Sequence, residues 1–294
     1  MNASDNPRPV DADSAEHAGN SLGSRSAESR LNVVVVLLQT LGLVMVAVLG
    51  VAAWMLAPIL AQAPQGATPQ EPAAQSAAPI DLTGYWVSIV NEDWRWRMLT
   101  PPKGDYASVP LNDEGKRVAD TWTPAMDGRC EAFGAGGLMR MPTRVHITWQ
   151  DPATLKIETD AGTQTRLVHF GDGRPPADRS LQGYSTASWE FAGGGAGRGG
   201  RGGGRGAPRF GSLKVTTTHL RQGWLRKNGV PYSENAVVTE FYDRFRSTNG
   251  DEWFFVTTAV NDAAFLQQEF VTSSHFKKEP DGSKWAPSAC KTTG

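Results

Sequence analysis

The chain has 294 residues, 20% of them charged, and a formal net charge of −1. That balance does not imply a strongly electrostatic partner, and the length allows one large domain or two small ones. The chain has thirty-two glycines and nineteen prolines, with ten of the glycines gathered in residues 192–208, and the remainder is rich in Thr, Val, Trp and Phe, which suit a pleated surface.

Residues 1–30 are polar, lack a periodic apolar face and read as a disordered cytoplasmic tail. Residues 31–60 are almost entirely apolar and exceed the roughly 20 residues that span a bilayer. Arg8, Arg25 and Arg30 precede this run and the next basic residue is Arg95, so the N-terminus is placed in the cytoplasm and everything after Ala61 outside it. Ala61-Gln62-Ala63 offers a cleavage site, but the apolar core of a signal peptide is usually only about 7–15 residues. The expectation is an uncleaved signal anchor in the inner (cytoplasmic) membrane. The alternative is release to the periplasm after Ala63, and both readings export the same domain. Residues 61–80 form a Pro/Ala/Gln-rich linker of extended character.

The domain itself is expected over residues 81–294. In Asp81–Met98, the residues Trp94, Trp96 and Met98 alternate with Arg95 and Arg97, the period of a half-buried strand. Pro101–Pro110 reads as a loop. Asn112 can cap a short helix running to about Trp122, with Asp113 and Glu114 in its first turn. From Arg144 onward, alternating segments are separated by turn signals such as Asp151-Pro152, Asn228-Gly229 and Asn249-Gly250. About nine strands with mostly short connections imply antiparallel neighbours. The expected fold class is therefore all-β: an up-and-down antiparallel barrel with one short helix, behind a single transmembrane helix. Residues 192–208 form a Gly/Arg-rich loop. Its formal G-x-G-x-x-G lacks the strand–helix context of a dinucleotide site, and export argues against nucleic acid as a partner. Cys130 and Cys290 read as a disulfide outside the cytoplasm and as two inert thiols inside it, and neither has metal-ligand spacing.

Asp81-Leu82-Thr83-Gly84-Tyr85-Trp86 resembles the opening of lipocalin-like (calycin) domains. Gly84 and Trp86 match their G-x-W, which implies that Trp86 packs at the closed end of a barrel. The segments EDWRWRMLTPPKGDYASVPL, HITWQDPATLKIETDAGTQTRL, LRKNGVPYSENAVVTEFYDRF and FVTSSHFKKEPDGSKW also resemble a family of exported bacterial proteins of unassigned activity. That resemblance implies an extracytoplasmic domain and supplies no catalytic residues.

Candidate binding residues lie on the later strands. His146, His169, His219 and His275, with Glu240, Tyr242 and Arg244, would line a polar cavity if their faces point inward, and could then hold a ligand, a metal or a haem. No HxH or HxxxH spacing is present, so no metal or cofactor is assigned. Glu92, Asp93, Arg95 and Arg97 form a second charged cluster. Gly183-Tyr184-Ser185-Thr186-Ala187 falls one residue short of a nucleophile elbow and continues as strand. The expected function is that of a membrane-anchored small-ligand-binding protein of lipocalin-like type. An accessory or scaffold subunit docked on a cell-envelope complex is the alternative, and a calycin-type isomerase or hydratase is a third reading. The topology is testable directly: an alkaline phosphatase reporter fused after Gly294 is expected to be active, whereas activity only for a cytoplasmic reporter would overturn the orientation.

Overall fold

The computed structural model describes residues 73–191 and 210–292. The tail, the apolar run 31–60, the first part of the linker and the Gly/Arg-rich loop 192–208 lie outside the described residues. Nine strands close a barrel: β1 (Gly84–Ile89), β2 (Arg144–Asp151), β3 (Thr154–Thr159), β5 (Thr165–Phe170), β6 (Tyr184–Phe191), β7 (Gly211–Thr218), β10 (Val237–Arg246), β11 (Glu252–Asn261) and β12 (Phe270–Glu279). Two short parallel segments, β4 (Ala161–Gly162) and β13 (Ser288–Ala289), pair outside the barrel, as does the hairpin of β8 (Gly223–Arg226) and β9 (Val230–Tyr232).

Closure falls to β1, which pairs antiparallel with both β12 and β2 and so leaves the sheet without an edge. The barrel is not purely antiparallel. β5 and β6 run parallel, with Val168 opposite Ser185 and Phe170 opposite Ala187. The connection Gly171–Gly183 makes this possible, because about a dozen residues suffice to carry the chain back to the starting end. Asn228-Gly229 does turn the chain, but within the β8–β9 hairpin rather than between barrel strands.

Alternation within the strands sets the interior. Val145 and Ile147, Leu155 and Ile157, Leu213 and Val215, and Phe254 and Val256 all project inward and are buried. Trp86 stands among them, edge-on to Phe254 at 4.9 Å, and Phe254 stacks on Phe276 at 4.6 Å. The lumen is a packed core. At one end of the barrel, residues 90–143, 219–236 and 262–269 form a lobe with a second apolar cluster around Leu111, Leu225, Tyr232, Leu266 and Phe270. At the other end lie the start of β1, the end of β2 and the β10–β11 turn. There the lead-in helix α1 (Ala74–Ala77) accepts a hydrogen bond at Ala74 from Trp189 Nε1, 2.8 Å, and Gln75 donates to the Pro152 carbonyl, 3.1 Å. This part of the Pro/Ala/Gln-rich segment is therefore packed rather than a free spacer.

Among the described residues there are four short α-helices, not one. Trp94–Arg97, expected as strand, is helix α2, entered through Asp93 in the left-handed region (φ 52°). The expected faces hold for exposed Arg95 and half-buried Trp96 but fail for the rest: Arg97 is buried while Trp94 and Met98 are 60% and 52% exposed. A five-residue alternation is weak, and here the tertiary partners of Arg97 decide the backbone. α3 (Asp113–Ala119) follows the expected start, with the Asn112 side chain accepting from the Gly115 amide at 2.8 Å. Gly115 is required there, since a Cβ would lie 2.4 Å from the Phe265 carbonyl oxygen. α4 (Ala135–Leu138) completes the lobe.

Cys130 and Cys290 form a disulfide with Cα atoms 5.0 Å apart. It joins the lobe to the C-terminal strand β13, which in turn pairs with β4. Because the bridge spans a sequence separation of 160, it restricts the unfolded chain strongly. Replacing both cysteines by alanine is expected to lower unfolding free energy by about 2–5 kcal/mol in urea titrations while leaving the far-ultraviolet spectrum unchanged. An unchanged midpoint would show that the bridge restrains little.

Candidate functional site

The strand histidines face away from the lumen, because their apolar neighbours Val145, Val168 and Phe276 take the inward positions. His146 stacks on Tyr85 at 4.0 Å and lies 3.4 Å from Glu158. His169 stacks on Tyr184 at 5.1 Å. His219 follows β7 with φ 54° and meets the Thr218 hydroxyl at 3.1 Å. His275 reaches Glu92 and Asn91, each at 3.0 Å. The four do not converge, and among the described residues no group of three His, Cys, Asp or Glu side chains could hold a metal ion. The shared histidine centre allowed by the alternation is not formed.

Glu240 and Tyr242 do point inward, and both are fully buried. Their partner is Arg166, which shares the inner face of β5 with Val168. Its guanidinium reaches Glu240 through Nη1 at 3.1 Å and through a second, shorter contact from Nη2. The same group donates to Thr217 Oγ1 at 2.7 Å and to Ser185 Oγ at 3.1 Å. The Tyr242 hydroxyl donates to Glu240 at 3.3 Å. Burial opposes the charge on Arg166, but the adjacent Glu240 outweighs it and holds the guanidinium above its ordinary value. Burial, then the Glu240 charge, pushes the Tyr242 phenol well up. Ser185, the hydroxyl of the near-elbow, is thus an interior hydrogen-bonding group on a strand rather than a nucleophile at a turn. The sequence signal for Arg166 was available: an arginine two residues from Val168 on an apolar face.

Arg244 continues the inner face of β10 and emerges at the mouth beside α1. Its Nη2 pairs with Glu252 at 2.7 Å, and Glu252 also meets Lys278 Nζ at 3.1 Å. The Lys278 ammonium lies 5.3 Å above the Trp86 ring, whose Nε1 donates to the Leu82 carbonyl at 2.9 Å. The hydrogen bond from Lys278 is the main cause that holds Glu252 below the usual carboxylate range. Gly84, at φ +114°, brings the chain past the Lys278 side chain, where a Cβ would come within 3.3 Å. Around these groups opens a cleft of about 800 Å³, walled by Pro79, Ile80 and Trp149 and carrying Asp81, Arg244, Arg246 and Glu252. An adjoining cleft of about 430 Å³ shares Pro79, Ile80 and Arg244 with it.

The charged cluster of Glu92–Arg97 lies at the opposite end, inside the lobe. Arg97 donates from Nε to the Arg140 carbonyl at 2.8 Å and pairs with Glu92 at 3.6 Å. Arg140 pairs with Asp93 at 3.0 Å, and exposed Arg95 with Asp105 at 2.8 Å. The sequence reading missed Arg140 and Arg226, which the lobe brings to this cluster from distant segments.

Breaking the interior pair leaves an uncompensated charge. Arg166→Met or Glu240→Leu alone is expected to destabilise the domain by about 3–5 kcal/mol in urea unfolding, and the double variant to recover most of the loss. Additive losses would show that the two groups act independently. No protein-family model, curated protein or solved structure matches the chain.

Proposed function

We propose that this chain is a membrane-anchored, extracytoplasmic small-ligand-binding protein of lipocalin-like type, and that its site is the cleft at the barrel mouth. The observation that carries the reading is the cleft itself, whose volume of about 800 Å³ falls in the range of small-molecule sites. The packed lumen moves the ligand from the barrel interior to its mouth. In the lipocalin-like pattern Trp86 plugs this end of the barrel, as it does beneath Lys278, which is why the ligand is placed in the cleft outside that plug; the Cys130–Cys290 disulfide supports an oxidising compartment.

The groups at the mouth select the ligand. Glu252 is shared between Arg244 and Lys278, and Asp81 is turned back to accept from the Thr83 amide and hydroxyl at 2.9 and 2.7 Å. Among the described residues Arg246 meets only the Gly250 carbonyl, at 3.4 Å. A spare guanidinium beside an apolar wall of Pro79, Ile80 and Trp149 suits an organic anion with an apolar body.

A second reading, a docking subunit of an envelope assembly, is favoured by one observation: Trp94, Met98 and Leu99 are 60%, 52% and 66% exposed on a single turn of the lobe. The two readings use opposite ends of the barrel and separate by mutation. With residues 71–294, which form one compact unit, saturable binding of 8-anilinonaphthalene-1-sulfonate is expected. Arg246→Met should weaken it by about tenfold, the loss of roughly 1.4 kcal/mol, with the melting temperature held. Serine at Trp94, Met98 and Leu99 should leave that affinity unchanged. Loss of binding in the serine variant, and not in Arg246→Met, would move the site to the lobe and overturn the mouth assignment.

A further inference from the structure

The lobe holds a second set of buried guanidinium groups, and it is built differently from the interior pair. Arg97, Arg140 and Arg226 are all buried and, with Lys227, surround a small, partly open pocket also lined by Trp96, Met141 and Leu225. Arg97 is fully engaged, with the Arg140 carbonyl, Glu92 and the Ser88 hydroxyl at 3.2 Å. Arg140 spends Nη2 on Asp93 and leaves Nε without a partner. Arg226 is 3% exposed, and none of its three nitrogens meets an acceptor among the described residues. Its guanidinium carbon stacks 4.8 Å from the Trp96 ring centre. Stacking covers a face of the guanidinium, whereas its N–H bonds lie in the plane, so the indole does not satisfy them.

Charge points the same way. Four cations, Arg97, Arg140, Arg226 and Lys227, line the pocket, while of the two nearest carboxylates Asp93 pairs with Arg140 at 3.0 Å and Glu92 lies 3.6 Å from Arg97 and 3.0 Å from His275. Asp105, the next acid, is held by Arg95 at 2.8 Å and by Trp96 Nε1 at 3.1 Å. Burial, then the neighbouring Arg140, brings Arg226 down to about 10, so it is still a cation at neutral pH. A buried cation with its donors unmet is costly in water-excluded surroundings, and an anion is the group that removes the cost.

We propose that this pocket is an oxyanion-binding site, in which Arg226 and the free Nε of Arg140 grip a phosphate-like group and Trp96 forms the lid. A planar guanidinium fork matches two oxygens of such a group, which a halide cannot offer. The free space is about 10 Å³, room for about one oxygen-sized atom, so a whole phosphate requires the indole to move outward. Trp96 is placed for this. It sits on the four-residue helix α2, whose neighbours Trp94 and Arg95 are exposed, and its ring nitrogen is held by the single bond to Asp105. The site is independent of the mouth cleft and stands or falls separately from it.

The test is calorimetric titration of the full-length protein in a nonionic detergent, with inorganic phosphate and glycerol 3-phosphate as separate arms and sodium chloride as the control. Saturable binding of one oxyanion per chain is expected, lost in Arg226→Gln and retained in the mouth variant Arg246→Gln. Tighter binding of inorganic phosphate would assign the free ion, and tighter binding of the ester a group carried on a larger molecule. Asp105→Asn, which removes a charge outside the pocket and loosens the lid, gives a second readout if Arg226→Gln does not fold: affinity should change at least threefold. No saturable heat with either oxyanion, equal binding of chloride, or binding that survives Arg226→Gln would overturn the proposal.

Discussion

Closure of the barrel through β1 is the constraint on which the rest depends. Once Gly84–Ile89 pairs with β12 on one side and β2 on the other, every strand has two neighbours and the interior becomes a fixed volume. Aromatic side chains fill that volume: Trp86, Phe254 and Phe276 contact one another in sequence, with Tyr242 beside Phe254 at 5.9 Å. A nine-stranded barrel is wide enough to be filled by side chains or to hold a small ligand, and the residue sizes on the inner face decide which. Here they fill it. The two ends are unlike. One carries the mouth cleft and the lead-in segment, the other the lobe with its buried arginines.

The interior pair Arg166–Glu240 needs explanation in this setting, because a buried ion pair is weak grounds for stability and an apolar pair of equal size often serves as well. Its geometry supplies a reason. Arg166 comes from β5, Ser185 from β6, Thr217 from β7 and Glu240 from β10, so one guanidinium ties four strands across the parallel step of the barrel. That step is where register is least determined by short turns, since β5 and β6 are joined by the long Gly171–Gly183 connection. A one-residue slip of β6 would carry Ser185 out of the lumen and leave an Arg166 donor unmet. The network penalises the wrong register, a role an apolar pair would perform poorly.

Much of the fold was legible in sequence wherever the cause was local. Alternation in Arg144–Asp151 and Glu252–Asn261, the Asn112 cap and the pairing of the only two cysteines each follow from neighbours or from counting. The parallel pair was not legible, because a Gly/Pro loop does not state the direction in which it returns. Trp94–Arg97 misled for a physical reason: its alternation was real, but Arg97 is held by Arg140, Glu92 and Ser88, and those contacts override a short period. Of the candidate residues, Glu240 and Tyr242 come together inside and Arg244 reaches the mouth, while the histidines follow the outer face of their strands. Which face is inner is set by the apolar partner residues, and Val145 beside His146 or Phe276 beside His275 already favoured the outward reading.

Arg166 and Arg226 make a controlled comparison within one chain. Both are buried arginines, and both come from segments with otherwise apolar inner positions. Around Arg166 the fold has placed a carboxylate, two hydroxyls and a phenol, so its donors are met by the chain alone. Around Arg226 it has placed an indole, a leucine and two more guanidinium groups, which meet none of them. The acids needed to neutralise it are close, but Asp93 is bonded to Arg140 and Asp105 to Arg95 and Trp96. A chain that can satisfy one buried guanidinium so fully has not failed by chemistry to satisfy the other. The contrast is the ground for proposing that Arg226 takes a partner beyond the described residues.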